Sequence, residues 1–428
     1  MNAEKLRKYI RSGKLDRTLL EIYGGDIEAR RDRFISVVDG FSSLYGADRD
    51  ISLFSVPGRS ELSGNHTDHN HGKVIAASVS VDIIAAAAPS DTGTVRVKST
   101  GFPEDTVDIA AFSEPDPARY GSSASLIAGC CRGFANAGLK TGGFDAFTTS
   151  DVLSGSGLSS SAAFEDMIGT LISHFYNGGS VDYTRIASVS KYAENAFFGK
   201  PCGLMDQMAC AAGGIVAIDF LSPSEPSVEK IGLDLTAAGY RLVIIDTGGS
   251  HADLTADYAS IPAEMKKAAA VFDEEVLRDV PENIFLSNIP AVRAAAGDRA
   301  ALRALHFYSE NRRVDIQKKA LSENDLPLFL EKARESGESS FRYLQNVFSP
   351  SSPAEQGVAL ALCLCERSLS GTARPSAWRV HGGGFAGTVQ AFVPEEETER
   401  FVRTISAVFG EGSCHLLGVR LTGAARLV

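Results

Sequence analysis

Apolar positions along the chain recur with two different periods, and the switches between them mark out its elements. From residue 4 to 23 the apolar Leu6, Ile10, Leu15, Leu19 and Leu20 recur at helical spacing among charged neighbours and stop at Gly24-Gly25, which predicts one or two short helices. Residues 33–45 continue as a helix with Phe34, Val37, Val38 and Phe41 on one face. Residues 51–56 read as a short strand that stops at Pro57-Gly58, and residues 74–88 and 94–99 as β-rich segments with turns at Pro89 and Gly93. Residues 117–137 carry the pattern of a buried helix ended by Gly138, and residues 144–149 that of a strand. A second helix sets Phe164, Ile168, Leu171, Ile172 and Phe175 on a core face, and a third is marked by Ile186, Val189 and Ala193. Strands are expected at 215–220, 241–246, 378–381 and 388–393.

Between the strand at 144–149 and its helix lies VLSGSGLSSSAA, residues 152–163. Gly155 and Gly157 let the backbone turn tightly and approach a ligand, while Ser159, Ser160 and Ser161 offer hydroxyls and amides at a helix start. Free N–H groups and the positive end of the helix dipole favour an anion there, so a nucleotide's phosphates fit without a lysine. No GxxxxGK[ST] occurs, so this is not a Walker loop. A hydrolase using one of the serines lacks the GxSxG elbow in this loop.

A second dense segment is PGRSELSGNHTDHNHG, residues 57–72, which gathers one Arg, two Asn, three His and an Asp. His66, Asp68, His69 and His71 include metal-ligand types, yet no helical His pair or Cys partner supports a metal cage. The many donors and acceptors suit the hydroxyls of a sugar better. A third segment, AENAFFGKPCGLMDQM at 193–208, carries Glu194 at a helix edge and Asp206 after a glycine- and proline-broken turn between Met205 and Met208, where general-base chemistry could be confined.

Composition narrows the ligand class. The 428 residues are 44% hydrophobic and 22% charged, long enough for two cored domains. A net charge of −11 argues against nucleic acid or an anionic membrane as the main partner and leaves small molecules. Apolar runs such as 83–88 are too short to span a bilayer, and the charged N-terminus lacks an apolar signal core. The seven cysteines include no CxxC, and Cys130, Cys131, Cys363 and Cys365 fall in apolar helical patterns. They are expected to be reduced core residues, which places the protein in the cytoplasm.

Together, GRSELSGNHTDHNHG, SGSGLSSSAA and AENAFFGKPCGLMDQ resemble the signatures of the galactokinases, a family of GHMP small-molecule kinases. RVHGGGFAGTV at 379–389 resembles the same family's glycine-rich C-terminal motif, and RALHFYSENRR at 303–313 a helix common in it. Gly382, Gly384 and Gly387 alone satisfy GxGxxG, but they lie between two β patterns with no helix following, so a dinucleotide fold fails on context. The resemblance covers the chain from about residue 50 onward and leaves the N-terminal segment without a role.

It implies a fold of the α/β (α+β) class, with the active site between an N-terminal domain, 1–219, and a ferredoxin-like C-terminal domain, 220–428. It implies ATP and Mg²⁺ as cofactors, a sugar substrate, and a monomer or weak homo-oligomer. Asp206 becomes the base that takes the proton of the sugar's anomeric hydroxyl, with Arg59 beside it. Gly155, Ser156, Gly157, Leu158, Ser159, Ser160 and Ser161 would hold ATP, and Ser161, or its neighbour Ser160, with Glu194 would reach the metal. Asn65, His66, Asp68, Gly203 and Tyr258 would bind the sugar. The family usually reads GEHTDYN; here Asn65 replaces the glutamate that helps hold the sugar's hydroxymethyl end, and His69 replaces the tyrosine. That exchange makes a C6-altered acceptor, galacturonate or L-arabinose, the alternative. A non-catalytic galactose and ATP sensor is the rival of another class; loss of the serine loop or of the catalytic Asp would mark it, and both are present.

Overall fold

The computed structural model describes residues 1–152, 157–223, 225–249 and 254–428. Three helices, α1 (Ala3–Arg11), α2 (Asp16–Tyr23) and α3 (Ile27–Tyr45), precede a long antiparallel pair, β1 (Ser52–Ser63) and β2 (Lys73–Pro89). Then follow β3 (Thr94–Ser99), β4 (Glu104–Asp108), α4 (Ser123–Asn136), β5 (Phe144–Ser150), α5 (Ser160–Tyr176), α6 (Tyr183–Tyr192), α7 (Met205–Ala212), β6 (Ile215–Asp219) and β7 (Ser227–Ile231). The remainder comprises β8 (Tyr240–Asp246), α8 (Thr255–Ala270), α9 (Glu282–Ser287), α10 (Ile289–Ala296), α11 (Asp298–Ser322), α12 (Leu326–Ser339) and α13 (Gly357–Leu369). It closes with β9 (Ala377–Val380), β10 (Thr388–Pro394), α14 (Glu395–Phe409), β11 (Cys414–Leu417) and β12 (Ala425–Arg426). Among the described residues, no helix is long and apolar enough to cross a membrane.

The pleat of β2 decides the layering. Successive side chains of a strand point to opposite faces, so Ile75, Ala77, Val79, Ile83, Ala85 and Ala87 enter the core shared with α4 and α5. Ile84, Ala86 and Ala88 face the other way, where Leu6, Ile10, Phe34, Val38 and Phe41 of α1 and α3 cover them. The apolar run at the end of β2 therefore reflects burial on both faces. Gly40 permits the approach, since a Cβ there would meet the Phe147 ring at 2.5 Å.

The first sheet runs β12-β1-β2-β5-β3-β4, with β6 on β2 and β7 on β6. A division at residue 219 would cut β7 from β6 and leave out β12, which pairs with β1 through Phe54 and Ser55. The second sheet is antiparallel in the order β11-β8-β10-β9, the ferredoxin-like arrangement of a βαββαβ unit.

Three local expectations differ from what forms. The strand expected to stop at Pro57-Gly58 runs on to Ser63, with register shifts between Pro57 and Arg59 and between Glu61 and Ser63. The helix expected from 117 starts at Ser123, where the Ser122 side chain caps it. Cys363 is exposed rather than core, whereas Cys130, Cys131 and Cys365 are buried; all seven cysteines are free thiols.

At the first bulge, Asp82 pairs in register with Pro57 and is wholly buried. Its carboxylate accepts from Tyr23 Oη at 2.6 Å, Arg33 Nη1 at 2.6 Å, Arg420 Nη1 at 3.0 Å, and Ser55 Oγ. Burial pushes its pKa up, but the two guanidinium groups and the hydroxyls outweigh burial and hold it below the usual carboxylate range. Removing the charge would strand two arginines in the interior. Asp82→Asn is therefore expected to lower the unfolding free energy by about 3–5 kcal/mol, read by urea unfolding at neutral pH. Because the folded pKa is depressed, this contribution is present above pH 4 and is lost as the pH falls through the folded value, so the variant should lose less stability than wild type on acidification. A loss below about 1 kcal/mol would contradict the role given to this carboxylate.

Candidate active site

The bulge after Pro57 re-aims Arg59 off the strand, a common use of bulges beside functional sites. Its Nε and Nη2 lie 2.8 and 2.7 Å from Asp206 Oδ1. Its Nη1 donates to the carbonyl of Gly157, and its backbone N–H donates to that of Leu158 at 3.1 Å. One arginine thus joins the serine loop to the acid on α7. Asp206 sits in the first turn of α7, where the helix dipole favours negative charge. Its second oxygen accepts from Ser159 Oγ. Burial pushes the Asp206 pKa up, yet Arg59 and Ser159 outweigh it, and the carboxyl stays below its ordinary value.

Ser159 has φ +58°, a left-handed conformation that is uncommon without glycine. Its position ahead of α5 aims its hydroxyl at Asp206, so backbone strain coincides with a functional contact. Gly157 has φ +73°, and a Cβ there would come within 3.0 Å of His381 Nδ1, which puts the C-terminal glycine motif against the serine loop. Leu158 is buried and offers only its carbonyl, and Ser160 and Ser161 are half-buried in the first turn of α5. Gly155 and Ser156 lie outside the described residues.

Ser161 Oγ stands 3.3 Å from Glu194 Oε1, on the π-helical turn Ala193–Phe198. Lys200 Nζ reaches the same oxygen at 2.8 Å. Gln207 Nε2 donates to Glu194 Oε2 at 2.8 Å and to Glu165 Oε2 at 3.1 Å. A carboxylate and a hydroxyl at this separation form a hard oxygen donor pair, which fits a magnesium ion whose remaining ligands come from phosphates and water. Burial, with the nearby Glu194 charge, drives the Glu165 pKa well above the usual range. The sequence singled out the segment that carries Lys200 and Gln207 without giving either a role, and offered no sign of Glu165, since each becomes relevant only by packing beside Glu194.

Gly203 abuts Asp68: a Cβ there would stand 2.5 Å from the carboxylate oxygen. Burial first, then the Glu61 charge, pushes the Asp68 pKa up to about 6. Burial likewise lowers the pKa of His66 and His69 and keeps both rings neutral. The His66 ring nitrogen Nε2 meets the Gly383 carbonyl at 2.9 Å, and Tyr258 Oη donates to the Gly384 carbonyl at 3.0 Å. The glycine-rich turn is therefore the wall on which the sugar-loop residues close.

Asn65, expected to bind the sugar, is 1% exposed, with its amide engaged by protein partners. Its Nδ2 donates to Glu61 Oε1 at 3.0 Å and to the Gly382 carbonyl at 2.7 Å, while its Oδ1 accepts from Asn346 Nδ2 at 2.9 Å. The carboxylate absent from position 65 stands next door on Glu61, which also pairs with the buried Arg379 at 2.7 Å. Helix α11 braces the loop from behind, with His306 Nε2 2.9 Å from the Asn65 carbonyl and Glu310 Oε1 accepting from Gly64 N–H at 3.1 Å.

The chain has recognisable relatives. Residues 39–89 match the galactokinase galactose-binding signature, and residues 125–214 the GHMP kinases N terminal domain. It is 29% identical over 402 residues to a galactokinase of Streptomyces coelicolor, covering 92% of this chain and 98% of that one. A galactokinase of Actinobacillus pleuropneumoniae is 30% identical over 378 residues, with 86% and 91% covered. In three dimensions it is similar to the Lactococcus lactis galactokinase complexed with galactose, with a TM-score of 0.78 at 22% identity over 92% of this chain and all of the other. The Methanococcus jannaschii mevalonate kinase shares the fold at a TM-score of 0.61 and 13% identity, with 86% and 98% covered.

The Glu61 and Asn65 pair gives a direct test of this geometry. Asn65→Glu would set a second buried carboxylate against Glu61 and the Gly382 carbonyl, and should cost about 3 kcal/mol in urea unfolding. Adding Glu61→Asn to that chain restores a donor opposite the new acceptor and should recover most of the loss; an equal or larger loss in the double variant would show that the two side chains do not depend on each other.

Proposed function

Since the chain belongs to the galactokinase family of GHMP kinases, we infer that it transfers the γ-phosphoryl group of ATP to the anomeric hydroxyl of galactose. The observation that carries the chemistry is the contact of Arg59 with both Asp206 and the Gly157 carbonyl, which puts an ionised acid beside the serine loop. Asp206 takes the proton of the anomeric hydroxyl as that oxygen attacks the γ-phosphorus; the bond to the β-phosphate oxygen breaks and ADP leaves. Arg59 keeps Asp206 ionised and stabilises charge on the transferring group. Ser161 and Glu194 would hold magnesium, which when bound neutralises phosphate charge. The amides and hydroxyls of the serine loop would grip the phosphates, and Asp68 and Gly203 would seat the sugar.

The C6-altered acceptors rested on Asn65 lining the sugar, and that argument loses its footing with Asn65 enclosed and fully engaged. The sensor reading loses ground for a similar reason, because the acid and its arginine are in contact.

Asp206→Asn is expected to lower sugar-dependent ADP release by at least about a thousandfold while ATP binding stays within about twofold; retained turnover would reject Asp206 as the base. The raised pKa of Asp68 predicts a second signature. Below about pH 6 this carboxyl loses its charge and part of its capacity to accept from sugar hydroxyls, so the KM for galactose should rise as the pH falls through that value while Asp206, with its depressed pKa, stays ionised. A galactose KM flat from pH 7.5 to about 5 would remove Asp68 from sugar binding.

A further inference from the structure

None of these roles uses the three N-terminal helices, yet their polar groups reach the two strands from which the active-site residues depart. Arg30 Nη1 and Arg33 Nη1 lie 3.1 and 3.2 Å from the same oxygen, Asp151 Oδ2. Asp151 follows β5 directly and lies on the approach to the serine loop; its N–H donates to the Asp82 carbonyl at 2.9 Å. Arg33 also binds the Asp82 carboxylate at 2.6 Å, and its Nη2 donates to the Asp82 carbonyl at 2.9 Å and that of Thr149 at 3.4 Å. Tyr23 donates to Asp82 and carries the Arg30 guanidinium over its ring, 4.5 Å from the centroid. Asp82 is the register partner of Pro57, two residues from Arg59.

We propose that these helices belong to the nucleotide-positioning apparatus, with Arg30 and Arg33 as positioning residues that set, through Asp151, the approach of β5 to the serine loop relative to Arg59. Covering the sheet needs only the apolar face of α1 and α3. The arginines go beyond that cover, because Nε of both Arg30 and Arg33 is buried with no hydrogen-bond partner, a cost that packing alone does not explain. Nor is stability a sufficient reason for the Arg30 contact. The Arg30 and Asp151 side chains are 29% and 37% exposed, and a pair so open to water adds little to folding. It does fix a direction: two guanidinium groups converge on one oxygen and hold the backbone at 151 against Asp82, while Arg59 holds it again at Gly157 and Leu158. Residues 151 and 157–158, which flank residues 153–156 in sequence, are thereby both held. This rests on the reading of the chain as an ATP-dependent kinase.

A double-mutant cycle on the full chain tests it. Arg30→Met, Asp151→Asn and the combination would be compared for KM of ATP, KM of galactose, kcat and Tm, with a fluorescent ATP analogue titrated in parallel. Each single variant should weaken ATP and analogue binding roughly threefold to tenfold, with the galactose KM within about twofold and Tm nearly unchanged. The double variant should be no worse than the poorer single one, and Arg30→Lys should recover part of the loss. Unchanged nucleotide affinity in both single variants would overturn the proposal, as would additive effects, or ATP and galactose constants that move together with Tm. Should the wild-type chain release no ADP with any sugar, the kinase reading fails, and the analogue titration still decides whether Arg30 and Asp151 position a nucleotide.

Discussion

One buried carboxylate, Asp82, carries more of this architecture than its single charge suggests. Two guanidinium groups and two hydroxyls converge on it from the N-terminal helices, from β1 and from the segment near the C-terminus. A charge taken out of water is tolerated only when fully paired and hydrogen-bonded. Segments more than 300 residues apart in the chain, Ser55 and Arg420, must therefore meet at one point. That point lies at the β1 bulge, from which Arg59 turns toward the cleft. Stability and the placement of Arg59 are thus tied at the same place in the sheet.

The cleft itself places two carboxylates in opposed surroundings. Asp206 is held ionised by Arg59 and Ser159, whereas Asp68, with burial and the Glu61 charge against it, is pushed up to about 6. Environments that drive two acids apart in this way suit them to different chemistry. Glu194 is a third case, gripped by Lys200, Gln207 and Ser161. Each of the three carboxylates has its own set of neighbours.

Much of this was legible in the chain. The glycine- and serine-rich stretch, the polar PGRSELSGNHTDHNHG loop and the MDQ turn stood out because such residue types rarely cluster without a ligand, and the fold brings them together. Periodicity found eight of the twelve strands among the described residues, since a pleated, half-buried segment leaves a period-2 record, and missed the short β4, β7, β11 and β12. It misjudged β1, where a proline followed by glycine reads as a stop but is accommodated in a bulge. Asn65 is a different case. An amide in a sugar loop has the chemistry to face a ligand, and only the positions of Glu61, Asn346 and Gly382 turn it inward.

By itself the sequence determined most helices and strands of the first half of the chain, three segments whose residue types suit phosphate, sugar and base chemistry, and the family to which the chain belongs. These properties are written in local spacing and residue type. The tertiary structure alone decided that the N-terminal helices cover the second face of the sheet, that Glu61 supplies the carboxylate beside Asn65, and that Lys200 and Gln207 attend Glu194. Such facts depend on contacts between residues distant in the chain, and a pairwise distance across a fold leaves no periodic trace in the order of amino acids.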